Sequence, residues 1–209
     1  MARIPYADLD HASPEVREML GRLPAPANIF NMMAHAETCL KPVMKLGGTL
    51  LGKLSLDPKL RELCLLHAVK LEGGEYEWVQ HVPIARDIGC TDAQVAALER
   101  GDDRAVCFDA REKAALWFTR EVVVKVRASE EALADVRKYL SEREVVELIL
   151  MAGFYITLAR LTETLGVETD PPMGSALIRG IEKRVAANNV KCAVSSAHVP
   201  CRGLSTSAQ

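Results

Sequence analysis

A chain of 209 residues that is 49% hydrophobic and 26% charged has the make-up of an ordinary water-soluble protein and is long enough to bury a sizeable core. Its net charge of −2, with no basic amphipathic stretch and no block of like charge, gives nucleic acid or an acidic membrane surface no electrostatic footing as a partner. The six cysteines (Cys39, Cys64, Cys90, Cys107, Cys192, Cys201) include no CxxC pair and no zinc-type spacing.

The opening MARIPYADLDHASPEV lacks the apolar run of a signal peptide, and its carboxylates argue against a transit peptide. A cytoplasmic protein with free thiols is therefore expected, without a metal or cofactor. Ser13-Pro14 caps a first short helix with an apolar face of Val16, Met19, Leu20 and Leu23, which Pro24 and Pro26 end. Asn28 is the expected cap of the next helix, and Pro42 is expected to kink or split it before Val43 to Leu54. Asp57-Pro58 opens a helix carrying Leu60, Leu63, Leu66 and Leu71 that stops at Gly73-Gly74. The next helix runs from Glu75 to Ile88 and is closed by Gly89.

Thr91 with Gln94, Asp109 with Glu112, and Ser141 with Glu144 have capping-box spacing and open three further helices. Ser129 starts another through Ala132, Val136 and Leu140, and the last large helix runs to about Leu165 before Gly166. The apolar stretch Val145 to Ala159 is interrupted by Glu147 and reads as too short to span a bilayer. A modest helix is expected over Ser175 to Ala186, and a polar tail over 188–209. No alternating strand pattern of any length appears. The reading is all-α: about seven to nine helices in one domain over 1–187.

Chemistry concentrates in Arg61 to Gly89, RELCLLHAVKLEGGEYEWVQHVPIARDIG. Glu77 and His81 are four apart and share a helix face, and a carboxylate beside an imidazole is the simplest acid–base pair. The same two residues also read as an exposed helical ion pair, and Glu62 beside Arg61 as a salt bridge at a helix start. Tyr76 and Trp78 read first as packing residues, with the Tyr76 hydroxyl a candidate donor and Trp78 a candidate substrate contact.

Four pieces, LDPKLRELCLLHAV, EYEWVQHVPIARDIGCTDAQVAALE, FDAREKAALWFTREV and SEREVVELILMAGFYITLARLTETLGV, occur in an order that resembles the carboxymuconolactone decarboxylase family, which includes the alkylhydroperoxidase-D enzymes. They span about residues 56–167. The resemblance implies an all-helical domain that forms trimers or hexamers, with the site near a subunit contact. In the peroxidase branch the site is a glutamate, a CxxC pair and a histidine. The glutamate falls on Glu62 and the histidine on His81, but the two thiols fall on Gly74 and Glu77, so the dithiol is missing. The N-terminal region roofs the site in similar proteins, which makes His35 a candidate substrate contact.

Dithiol peroxide reduction needs an attacking thiolate and a resolving thiol. Without them the expected activity is cofactor-free acid–base chemistry on a small carboxylated or carbonyl compound. Decarboxylation is the first expectation, isomerisation or dehydration the variants. His81 would be the general acid/base, Glu77 its partner, Glu62 a relay and Tyr76 a further donor. Two alternatives stand beside this reading: an antioxidant peroxidase using another cysteine, most plausibly Cys64, and a non-catalytic helical binding or scaffold subunit.

Overall fold

The computed structural model describes residues 1–23, 25–172 and 174. Pro24, the expected helix over Ser175 to Ala186 and the polar tail lie outside the described residues. The described chain is all-helical, with no strand: α1 (Pro14–Gly21), α2 (Asn28–Met33), α3 (Glu37–Gly52), α4 (Pro58–Glu72), α5 (Glu75–Asp87), α6 (Asp92–Glu99), α7 (Ala110–Lys125), α8 (Glu130–Val136) and α9 (Glu142–Leu165). Side-chain oxygens of Ser13, Asp57, Thr91, Asp109, Ser129 and Ser141 accept first-turn amides, with full capping boxes at Thr91, Asp109 and Ser141. Gly73 and Gly166 end α4 and α9 in the left-handed conformation that glycine adopts without a Cβ penalty.

Two starts differ from expectation. Asn28 does not cap α2. It is the first helical residue, preceded by Ala27, and its backbone amide is taken 2.7 Å away by the Asp170 carboxylate. Nor does Pro42 break a helix: α3 runs through it, and the break falls instead at a 3₁₀ turn, Ala34–Ala36. Pro42 and Thr38, whose carbonyl loses its amide partner to the proline, are both exposed, so water can take the orphaned acceptor.

Helix α4 is the hub, packing against α5, α6, α7 and α9. Every residue from Leu60 to Val69 is buried, because neighbours cover the helix on all sides. The main core joins Leu63, Leu65 and Leu66 of α4 to Leu98, Leu116, Phe118, Leu148, Met151 and Tyr155. A second layer of α1 to α3 packs through Val16, Leu20, Met32 and Leu40 onto Tyr76 and Val167. By length and apolar composition alone α9 could cross a membrane, contrary to the shorter stretch read from Val145 to Ala159. One side of it is nevertheless core: Leu148, Met151, Ala152, Tyr155, Ala159 and Thr162 are buried, and Glu147 accepts the Ser55 and Leu56 amides ahead of α4. The other side exposes Val146, Ile149 and Leu150.

Candidate active site

The site forms where α4, α5 and α9 meet. Helix α5 presents Glu77 and His81 on its inner side, with Gly74 just before its first turn. Helix α9 faces it with Tyr155, Ala159 and Thr162, a stripe at helical spacing. The two run antiparallel: His81 meets Tyr155, and Glu77 meets Thr162. Helix α4 brings Arg61 and Glu62 up to the same place.

Glu62 is wholly buried, and both of its oxygens are engaged. Oε2 lies 2.8 Å from His81 Nδ1, while Oε1 accepts from Arg61 Nε at 3.1 Å and Nη2 at 3.0 Å. Arg61 is fixed in turn by its Nη1, which donates to the Leu51 carbonyl at 2.6 Å. Burial alone would push the Glu62 carboxyl up, but the His81 imidazole and then the Arg61 guanidinium outweigh it and hold it below the usual carboxylate range. The result is an anion clamped on one side and directed at an imidazole on the other. With Nδ1 committed to Glu62, the opposite ring nitrogen, Nε2, is the one left for other partners.

Glu77 lies next to this pair but is not joined to it by a hydrogen bond. Its carboxyl takes the Thr162 hydroxyl at 3.2 and 3.3 Å, and burial pushes it up to about 7 despite that bond and the nearby imidazole. The expected Glu77–His81 bond is therefore replaced by Glu62–His81: a carboxylate from a neighbouring helix approaches the ring more directly than one on the same helix. Glu77 and His81 are both buried, so the exposed-pair reading does not hold. The Arg61–Glu62 salt bridge is present, within the same cluster as His81.

The partners of Tyr76, Trp78 and His35 lie away from the Glu62–His81 pair. The Tyr76 hydroxyl donates to Asp170 Oδ2 at 2.6 Å, which turns it toward the N-terminal layer. Trp78 joins the main core with the Lys70 ammonium 5.2 Å from its ring centroid. His35 is exposed, its Nε2 donating to the Pro5 carbonyl at 2.9 Å. Sequence reasoning passed over Tyr155 and Thr162, whose signal was two polar side chains seven apart in an apolar run. A groove of about 320 Å³ lined by Leu9, Arg17, Leu20, Leu23 and Asn31 belongs to the N-terminal layer, not to this site.

Thiol chemistry finds little footing here. Cys64 and Cys90 are buried and unpaired, and burial pushes each thiol up to about 12, so neither supplies a thiolate near neutral pH. Among the described residues no group of three or more His, Cys, Asp or Glu side chains is arranged to hold a metal ion.

An all-helical core carries a buried glutamate–histidine pair on adjacent helices, and comparison with known proteins finds similar sequence and a shared fold. Residues 39–121 match the Carboxymuconolactone decarboxylase family model. The match covers 83 of the 209 residues, and the chain has no CxxC pair. Solved structures share the fold at low identity. An alkylhydroperoxidase AhpD core, a peroxidase-related protein from Ralstonia eutropha JMP134, is 16% identical with a TM-score of 0.71, covering 81% of this chain and 92% of its own. A peroxidase-related protein from Silicibacter sp. TM1040 is 17% identical with a TM-score of 0.69 and the same coverage, 81% and 92%. The debrominase Bmp8 is 16% identical with a TM-score of 0.66, covering 85% of this chain and 96% of its own. No curated protein matches the sequence.

Proposed function

We propose that this protein is a cofactor-free acid–base enzyme acting on a small carboxylated or carbonyl compound, with decarboxylation the first reaction to test. The match of residues 39–121 to the Carboxymuconolactone decarboxylase family model supports it, and the observation that carries it is the buried Glu62–His81 hydrogen bond of 2.8 Å with Arg61 locking the far oxygen. A fixed carboxylate on Nδ1 sets the imidazole's orientation and offsets the positive charge it gains when Nε2 takes a proton.

In the proposed reaction the bond between the α-carbon and the carboxylate breaks. Carbon dioxide leaves, and the bonding electron pair becomes an enolate on the adjacent carbonyl. His81 Nε2 then delivers a proton to the α-carbon and is reloaded from solvent. Glu62 stays ionised throughout, and Glu77, poised near neutrality, is a second proton carrier. In isomerisation His81 Nε2 would instead remove a proton from the α-carbon and return it at another carbon, and in dehydration that removal would be followed by departure of a protonated hydroxyl as water.

Sulfur-based peroxide reduction is the rival, drawn from the AhpD branch, and its first candidate thiol, Cys64, is closed to solvent. The scaffold alternative calls for Glu62 and His81 to lie apart, whereas they are bonded. Self-association as a trimer or hexamer is proposed through α9, where Val146, Ile149 and Leu150 are exposed together; sedimentation equilibrium measures it directly. For the chemistry, purified protein is incubated with a panel of β-keto acids and unsaturated lactone carboxylates while carbon dioxide release is followed. A parallel arm follows peroxide loss with a dithiol reductant, before and after thiol alkylation. The expected result is carbon dioxide release that His81→Gln abolishes and alkylation spares. Peroxide loss that alkylation abolishes would replace this reading with the thiol one.

A further inference from the structure

Tyr155 sits in α9 with its ring edge-on to His81, centroids 4.9 Å apart and planes at 85°. It is 3% exposed. A buried tyrosine hydroxyl ordinarily finds a hydrogen-bond partner within the protein. Tyr76 follows that rule through Asp170. The Tyr155 hydroxyl differs: among the described residues neither it nor His81 Nε2 has a hydrogen-bond partner, and neither atom is fully buried, so both are open to a ligand. A phenylalanine would supply the same edge-to-face packing against His81 and against Phe154, so packing accounts for the ring and leaves the oxygen available.

The surroundings say what that oxygen can do. Arg61, Glu62 and Glu77 all act on it electrostatically, so it belongs to the same cluster as the acid–base pair. Burial, and then the Glu62 charge, hold the phenol protonated far above the working range of pH, so it is a permanent neutral donor. A neutral donor in a water-poor site is suited to an oxygen that gains negative charge during reaction, because it stabilises that charge without bringing one of its own.

We propose that Tyr155 is a catalytic residue whose hydroxyl holds the carbonyl oxygen of a small planar substrate and stabilises the enolate formed there, while His81 Nε2 keeps its proton for the α-carbon. The inference rests on the acid–base reading of the site and adds the ligand class: a compact, planar carbonyl compound whose oxygen becomes an oxyanion. Helix α9 thus supplies the oxyanion contact, α5 the proton and α4 the fixed counter-charge.

The test uses 4-nitrophenolate, a small planar oxyanion whose visible absorption shifts when donors engage its oxygen. It is titrated into the full-length protein and into Tyr155→Phe and His81→Gln variants, with thermal melting run on each. Wild-type protein should bind the probe, and Tyr155→Phe should weaken it by about tenfold or more, as expected for a lost hydrogen bond to a charged oxygen, with melting unchanged or raised. Replacing Tyr155 by 3-fluorotyrosine, a stronger donor of nearly the same shape, should tighten binding, and this arm decides the matter if Tyr155→Phe fails to fold. Equal affinity in wild type, Tyr155→Phe and the fluorinated protein would overturn the role of Tyr155 while leaving the acid–base pair standing. No uptake by wild type, or uptake that ignores His81→Gln as well, would overturn the proposal together with the reading it rests on.

Discussion

Gly74 and Ala159 approach so closely that a Cβ built on Gly74 would lie 2.7 Å from the Ala159 Cβ and 3.1 Å from Glu77 Oε2. This is one of the two positions where the peroxidase branch places a thiol, and the backbone there is unstrained, so the restriction is purely steric. A side chain at position 74 therefore does not fit against α9 without a shift in the packing.

Gly74→Ala should destabilise the protein by about 1–3 kcal/mol, as overpacking does, and shortening the opposing side chain by Ala159→Gly should recover part of that loss. Urea denaturation of the two single variants and the double variant measures the coupling. Additive effects would show that the two residues do not meet.

Glu77 gives the stability a definite pH dependence. Its folded-state pKa of about 7 lies above the ordinary carboxylate value of 4.5, so the unfolded chain ionises it first as pH rises. Stability from this group is full below about pH 4.5, falls between there and about 7, and stays low above. Glu77→Gln, which keeps the size and can still accept from Thr162, should therefore be more stable than wild type by about 1–3 kcal/mol above pH 7, with the gap closing by pH 5. Denaturation curves at pH 5, 7 and 8.5 check both the sign and the trend.

Glu62 works in the opposite direction. Its pKa is held down in the folded state, so its contribution is present above the ordinary carboxylate range and is lost as pH falls through the lowered folded value. Glu62→Gln leaves the Arg61 guanidinium buried without its counter-charge and should cost about 3–5 kcal/mol at neutral pH. Replacing Arg61 and Glu62 together by apolar residues of similar volume should cost much less. Guanidinium denaturation of the single and double variants separates a stranded charge from a simple loss of contacts.

Asp170 ties the N-terminal layer to α5, accepting the Asn28 amide and the Tyr76 hydroxyl, while its carbonyl takes Gln80 Nε2 at 2.8 Å. Asp170→Ala removes a charged cap and the Tyr76 acceptor, a loss of about 1–2 kcal/mol. It should open α1 and α2 to limited proteolysis and to faster amide exchange, while α4 to α9 stay protected. Unchanged exchange in α2 would mean the cap is not what holds this layer.

Local features were the legible ones. Ser13, Asp57, Thr91, Asp109, Ser129 and Ser141 announce their helices because a cap is settled within three residues. Contacts across the chain left no such mark. Nothing near Asn28 foretells a cap from Asp170, and nothing near Gly74 foretells that Glu163 Oε1 accepts the Glu75 amide at 2.9 Å. The site divides the same way. His81 and Glu62 could be named, but spacing along α5 favoured Glu77 as the imidazole's partner, and only the placing of α4 against α5 shows that Glu62 reaches it. Tyr155 stayed hidden because a tyrosine within an apolar helix looks like core until its ring is found against His81.

Deuterium incorporation tests the central claim most directly, that the Glu62–His81 pair moves protons to and from carbon. A carbonyl acid that the wild-type protein turns over is reacted in D2O, and the product is read by proton NMR. One deuteron should arrive at the α-carbon, and the rate should fall by about a hundredfold or more in His81→Gln. Incorporation at the wild-type rate in His81→Gln would contradict the account.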